Sequence, residues 1–199
     1  MTKQDLILDF DSERGIIHAQ SGVLFKDILE VCIPKGWLIP VLPGTQLITL
    51  GGAIASDIHG KNHHQVGTIS EFIESFNLIL ADASVKNCSK KKNKNLYHAT
   101  LGGMGLTGII LDAKLKLIKI QSNQVLQQKI KTDNLKQTLK VFEEHLETPY
   151  CVAWFDCLSK EIGKSVVILA EHQQTNNSLE YRFKQKASMP FYFPSFFLN

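Results

Sequence analysis

GGAIASDIHGKNHH (residues 51–64) gathers three of the chain's seven histidines and three of its glycines, and contains no Leu, Val, Phe, Tyr or Trp. A stretch so poor in bulky apolar side chains adds little to a core. Its residue types suit a backbone that must come close to another surface, beside rings that can hold or move a proton. Asp57, His59, His63 and His64 also offer the oxygen and nitrogen ligands of a zinc site. Gly60 and Asn62 argue against the helix that would bring His59 and His63 to one face, and the adjacent His63 and His64 converge poorly on one ion. No metal is expected.

Two neighbouring stretches share this texture: PGT at 43–45, running on to TLGG at 49–52, and GGMGLTG at 102–108. The latter contains a literal G-x-G-x-x-G at 103, 105 and 108. A dinucleotide fingerprint needs a strand before it and a helix after it. Here Ile109, Leu111, Ala113, Leu115 and Leu117 alternate with Asp112, Lys114 and Lys116, which predicts a half-exposed strand after the glycines. The Rossmann reading therefore fails, and with it a nicotinamide dehydrogenase of that fold. Both clusters still supply small residues where N–H groups can face phosphate oxygens. The same glycines serve equally well in turns and tight strand crossings.

Around these stretches the pattern is mixed. Residues 6–10 and 16–20 flank DSERG as a hairpin, and Leu24, Phe25, Ile28, Leu29 and Cys32 predict a helix that Pro34 and Gly36 end. WLIPVLPGT suits an extended segment. Ile69, Phe72, Ile73 and Phe76 are spaced as a short helix, followed by a strand in NLILAD, a turn at Asp82–Ala83 and a second strand. KKKNKN (90–95) reads as a solvated loop. Near Gln121 the texture turns polar, and a domain boundary is placed at about 120, giving units 1–120 and 121–199. The second unit holds a strand in QVLQQKI, a helix with the stripe Leu135, Leu139, Phe142 and Leu146 capped by Asp133, and paired strands in YCVAWFDCL and SVVILAE. The fold class is α+β, with antiparallel sheets and flanking helices.

A formal charge of +3 lacks the basic footprint of a nucleic-acid protein. Cys32, Cys88, Cys151 and Cys157 form no CxxC pair and read as free thiols in a reducing compartment, so the location expected is cytoplasmic. MTKQDLILDF carries charge too early for a signal peptide, and no apolar run is long enough to span a membrane. PFYFPSFFLN (190–199) carries five aromatics, which either pack on the body or await a partner segment; a peripheral membrane contact is the weaker reading.

PGT(x5)GGAIASDIHGKNHH, then ADxxV, HATLGGMGLTGII and AWFD, together resemble the FAD-linked oxidases of the vanillyl-alcohol oxidase and p-cresol methylhydroxylase superfamily. The likeness is strongest to the branch acting on the 2′-hydroxyl of a decaprenylphosphoryl-linked ribose, with aldonolactone and alditol oxidases further off. The resemblance implies that residues 1–120 are the second half of an FAD-binding domain of the p-cresol methylhydroxylase type, and that 121–199 begin a substrate domain. By matching motif positions, Gly44, Thr49, Leu50, Gly51, Gly52, Ser56, Asp57, Ile58, His59 and Ile110 would line FAD, largely through backbone. Gly60, Lys61 and Trp154 would face the substrate, and His59 and Lys61 would stand at the reacting centre. The reaction implied is oxidation of a sugar hydroxyl on a small-molecule or polyprenyl-phosphate substrate, with hydride passing to flavin.

Against the family pattern, the chain begins after the glycine-rich pyrophosphate loop and stops before segments that complete the substrate sheet. It thus reads as an inner portion needing a complementing chain or a partner reductase, and the alternative is a non-catalytic fragment. Met104, Ala83 and Val152 stand where relatives carry Asn, Gly and a polar residue.

Overall fold

The DSERG turn closes an antiparallel hairpin of β1 (Ile7–Asp11) and β2 (Ile16–Gln20) in the computed structural model, which describes residues 4–157, 163–174 and 179–181. Asp11 Oδ1 accepts the Glu13 and Arg14 N–H groups, and Gly15 turns at φ +67°. Any Cβ at Gly15 would overlap the Trp37 ring, so this glycine serves both the turn and the packing beneath it. The aromatic segment 190–199 lies outside the described residues.

The hairpin joins a five-stranded antiparallel sheet in the order β1-β2-β6-β4-β5, with β4 at Ile73–Ile79, β5 at Val85–Ser89 and β6 at Ile109–Lys116. α1 (Phe25–Cys32) and α2 (Leu50–Ala55) contribute Phe25, Ile28, Leu50 and Ile54 to one core with Ile17, Phe76, Leu78 and Leu115 of the strands. Each such side chain stabilises by about 1.5–3 kcal/mol on burial. α3 (His63–Val66) is a single turn, and α4 (Lys94–Thr100) adds Tyr97, which stacks on Phe76 with centroids 5.4 Å apart and donates its hydroxyl to Ile73 O at 2.6 Å. This helix begins inside the lysine run that reads as a loop, because Leu96, Tyr97 and Thr100 give it an inward face.

Two expectations change for one physical reason. Ile69–Phe72 form only a single 3-10 turn, and β4 starts at Ile73 rather than Asn77. A bulge there sets Ile73 and Ser75 opposite the adjacent Leu115 and Lys114, so Ile73 and Phe76, three apart, both face the core. A second bulge, on β6, lies between the pairs Asn77–Asp112 and Leu78–Ile110. Ile110 is consequently buried and Ile109 exposed, whereas the predicted inward face ran through Ile109 and Leu111. An extra residue in a strand breaks period two and imitates helical spacing.

β3 (Trp37–Leu38) pairs with β7 (Ile118–Lys119), after which the chain enters a three-stranded antiparallel sheet ordered β8-β10-β9. These strands are Val125–Thr132, Ser165–His172 and Tyr150–Phe155 for β8, β10 and β9. α5 (Leu135–Glu144) is capped by Asn134, whose Oδ1 accepts the Gln137 N–H at 3.0 Å, rather than by Asp133. Asp133 instead donates its N–H to Gln137 Oε1. The residue that α5 buries is Thr138, joined to Thr132 and Ser165 through hydroxyl contacts of 2.7–2.9 Å. Leu135, Leu139 and Leu146 remain exposed.

Candidate functional site

The two glycine clusters lie side by side. Gly102 N–H donates to Ile54 O at 3.1 Å and Met104 N–H to Ala55 O at 2.9 Å, fastening the second cluster along α2. Thr49 caps α2, its Oγ1 accepting the Gly52 N–H at 3.1 Å. The glycines divide into two kinds. A Cβ at Gly51 would stand 2.7 Å from Ser21 Cβ, and one at Gly103 or Gly108 would run into the carbonyl oxygen of Ala99 or Ile79. These three serve close chain crossings. Gly44 and Gly105 face open space, and Gly52 and Ser56 are exposed one turn apart on α2. The result is a surface with little side chain on it, running from the outer side of α2 toward the 102–106 loop, where Met104 is 70% and Leu106 92% exposed.

The amides of this region are largely committed. Leu50, Gly51, Ser56, Asp57 and Ile58 donate to Val23, Ser21, Gly52, Ile54 and Ala53 carbonyls. Contact with a ligand here rests on close approach to bare backbone rather than on a ring of free N–H donors.

Asp57, at φ +42°, turns its carboxylate onto the 68–70 turn, accepting from Thr68 Oγ1 at 3.0 Å and Ser70 N–H at 3.1 Å. Gly60 packs on Leu42, whose backbone N and O would both lie 3.1 Å from an added Cβ. His59 is exposed, and its ring meets that of His63 edge-on at 5.3 Å. Both rings approach Gly60 O through Nδ1, at 3.4 and 3.3 Å. Asn62 is buried and donates to Pro40 O at 2.9 Å. The back of the segment reaches β9 and the loop leading into it: His64 Nε2–H donates to Thr148 O, Gln65 Nε2–H to Leu146 O, and Cys151 N–H to Lys61 O at 2.9 Å. Among the described residues no three His, Cys, Asp or Glu side chains gather as a metal site.

Those three bonds hold the small sheet over a groove of about 940 Å³, floored by Leu29, Ile33 and the 42–47 loop and roofed by one face of β9, β10 and β8. On that face Tyr150 pairs with Ala170, Val152 with Ile168 and Trp154 with Val166. Of the predicted residues, Gly44, Lys61 and Trp154 line the groove, and Trp154 is 72% exposed. Thr49, Gly52, Ser56, Asp57, Ile58 and His59 do not, belonging instead to the adjoining surface of α2 and its exit loop, and Leu50, Gly51 and Gly60 are buried beneath it. Ile110 sits 5% exposed in the core, so only its backbone is left to serve a ligand. Sequence reasoning missed Tyr150 and His172 in the groove wall. Period-two alternation from Trp154 would have found Tyr150. Burial pushes the Tyr150 phenol up and the Cys32 thiol to about 12, so both stay protonated at neutral pH.

Residues 1–89 match a family model described as an FAD binding domain. That match, with the relatives that follow, places an FAD binding domain in this part of the chain, with FAD as its cofactor. It is 32% identical to the decaprenylphosphoryl-beta-D-ribose oxidase of Mycolicibacterium smegmatis, over 97% of this chain and 45% of that protein. It is also 27% identical to the human Delta(24)-sterol reductase, over 56% of this chain and 22% of that one. The D-lactate dehydrogenase of Anaerostipes hadrus is 28% identical over 59% of this chain and 26% of its own length. The chain spans less than half the length of each relative. The open space at Gly44 and Gly105 and the bare outer turn of α2 at Gly52 fit a large planar cofactor that must lie close to backbone.

Proposed function

We propose that this chain is part of an FAD-dependent oxidoreductase that oxidises a hydroxyl on a sugar-bearing substrate, a reading supported by its likeness to a mycobacterial decaprenylphosphoryl-beta-D-ribose oxidase. The observation that carries the reading is the joining of both glycine segments into one side-chain-poor surface, next to a groove that Lys61 and Trp154 line. Residues 1–120 supply the cofactor side through Gly44, Thr49–Gly52, Ser56–His59 and Ile110, and residues 121–199 open the substrate side. FAD, when bound, supplies the acceptor for the carbon-bound hydrogen of the alcohol. The chain's own part is to orient the substrate and take the hydroxyl proton. Lys61 presents its ammonium in the groove to an oxygen-rich or anionic head, and Trp154 offers a flat apolar surface beside it. His59, two residues before Lys61, is the proposed acceptor of that proton through its imidazole.

A second reading, a non-catalytic fragment, draws on the committed amides of residues 50–58. With those donors spent, the phosphate cradle must come from another segment, and a cofactor of this size needs most of its contacts to offset immobilisation. Co-expression with the glycine-rich upstream segment of an FAD-linked oxidase decides between the two. Flavin absorbance that survives gel filtration of the complex, with turnover of a polyprenyl-phosphate pentose, supports the oxidase. A complex that forms but stays colourless leaves the fragment. Location is proposed as cytoplasmic; among the described residues no helix is long and apolar enough to cross a membrane.

A further inference from the structure

The groove walls are mainly apolar, with Leu38, Leu42, Val152 and Ile168 among them, and on the sheet side Gln127 and the Tyr150–His172 pair interrupt that surface. Tyr150 Oη lies 3.0 Å from His172 Nε2, the rings edge-on at 75° with centroids 5.5 Å apart. The pair sits diagonally on one face, since Tyr150 faces Ala170 and His172 follows two residues along β10. Cys151 N–H bonded to Lys61 O fixes Tyr150 beside the Lys61 segment.

His172 Nδ1 is buried and has no hydrogen-bond partner among the described residues. Buried N–H groups are orphaned more rarely than buried acceptors. A neutral His172 therefore keeps its proton on Nε2 and donates it to Tyr150 Oη. The phenol proton is then left to find an acceptor elsewhere. Burial disfavours the phenolate, so this proton is retained across the neutral range.

We propose that Tyr150, held in place by His172, is a hydrogen-bond donor of the groove that recognises an uncharged oxygen, a hydroxyl or ether, on the ligand bound there. This rests on the reading of the groove as the substrate side of the site. Lys61 and Tyr150 then divide the work: the ammonium selects charge or dense oxygen, and the phenol fixes one neutral oxygen atom. His172 is a positioning residue, acting through the Tyr150 ring.

The test uses the full chain with 15N-labelled histidine and octyl β-D-glucopyranoside below its micelle concentration as the probe. In the free protein, His172 is expected as the Nε2–H tautomer. The probe is expected to shift the Val152 and Ile168 amides, and Tyr150→Phe to weaken its binding roughly 3- to 10-fold. An Nδ1–H tautomer overturns the proposal with no ligand involved, even where the Tyr150 variant folds poorly. Equal affinity of wild type and Tyr150→Phe overturns it while leaving the groove reading intact. A wild-type protein whose groove amides never respond removes the groove reading, and this proposal with it.

Discussion

The five-stranded unit and the three-stranded sheet are held together by different means. The first closes around one apolar core in which Ile17, Phe25, Ile28, Phe76, Leu78 and Leu115 are fully or almost fully buried. In the second, the described apolar residues that reach full burial are Val167 and Leu169, and β8 is exposed over nearly its whole length. Buried hydroxyls of Thr132, Thr138 and Ser165 hold α5 to the sheet, and the histidine segment ties the sheet to the first unit. A self-sufficient core makes the first unit a platform. The second stays ordered through polar contacts and through its neighbour.

The largest effect comes from breaking the stronger core. Phe76→Ala is expected to cost about 3–5 kcal/mol and Leu169→Ala about 2 kcal/mol. Urea titrations followed at the two tryptophans, Trp37 in the first unit and Trp154 in the second, separate the two transitions. Equal losses would show that both units share one core. Next, Gly108→Ala, which drives a Cβ into the Ile79 carbonyl at φ +149°, should destabilise by about 2–3 kcal/mol. Gly44→Ala meets open space, so its melting temperature should match wild type while affinity for FAD falls. Identical behaviour of the two variants would erase the division of the glycines.

Thr138→Val should cost about 1–3 kcal/mol by leaving Thr132 and Ser165 with a lost partner. Amide exchange should quicken in β10 and remain unchanged in β4; faster exchange throughout would contradict the separation of the units. The smallest change is a gain. Ala83 and Met104 both adopt left-handed backbone, at φ +62° and +51°, a region that favours glycine. Ala83→Gly should relieve about 1 kcal/mol and raise the melting temperature by about 2–4 °C.

Much of the first unit is legible in the sequence because its turns carry their own chemistry. DSERG, the Pro34–Gly36 stop and the alternation of Ala113, Leu115 and Leu117 each fix an element locally. The bulges at residues 73–75 and near 111 are not legible, since one extra residue in a strand mimics helical spacing and only the partner strand reveals it. In the second unit Asn134 takes the cap because its neighbour Asp133 points its backbone N–H to Gln137, a choice that residue type alone leaves open. The site is half legible. Small residues mark close approach, yet sequence cannot separate Gly51, Gly103 and Gly108, which serve chain crossings, from Gly44 and Gly105, which face open space. Tyr150 and His172 escaped because their meeting depends on the register between β9 and β10.

The most direct measurement is an amide-resolved NMR titration of the full chain with FAD at millimolar concentration, where even the weak binding of a partial site registers. The shifts are expected to gather at Gly44, Gly52, Ser56 and Gly105, with little change along β5 or α5. Shifts scattered over the surface, or none at those four positions, would contradict a cofactor surface built from the two glycine segments.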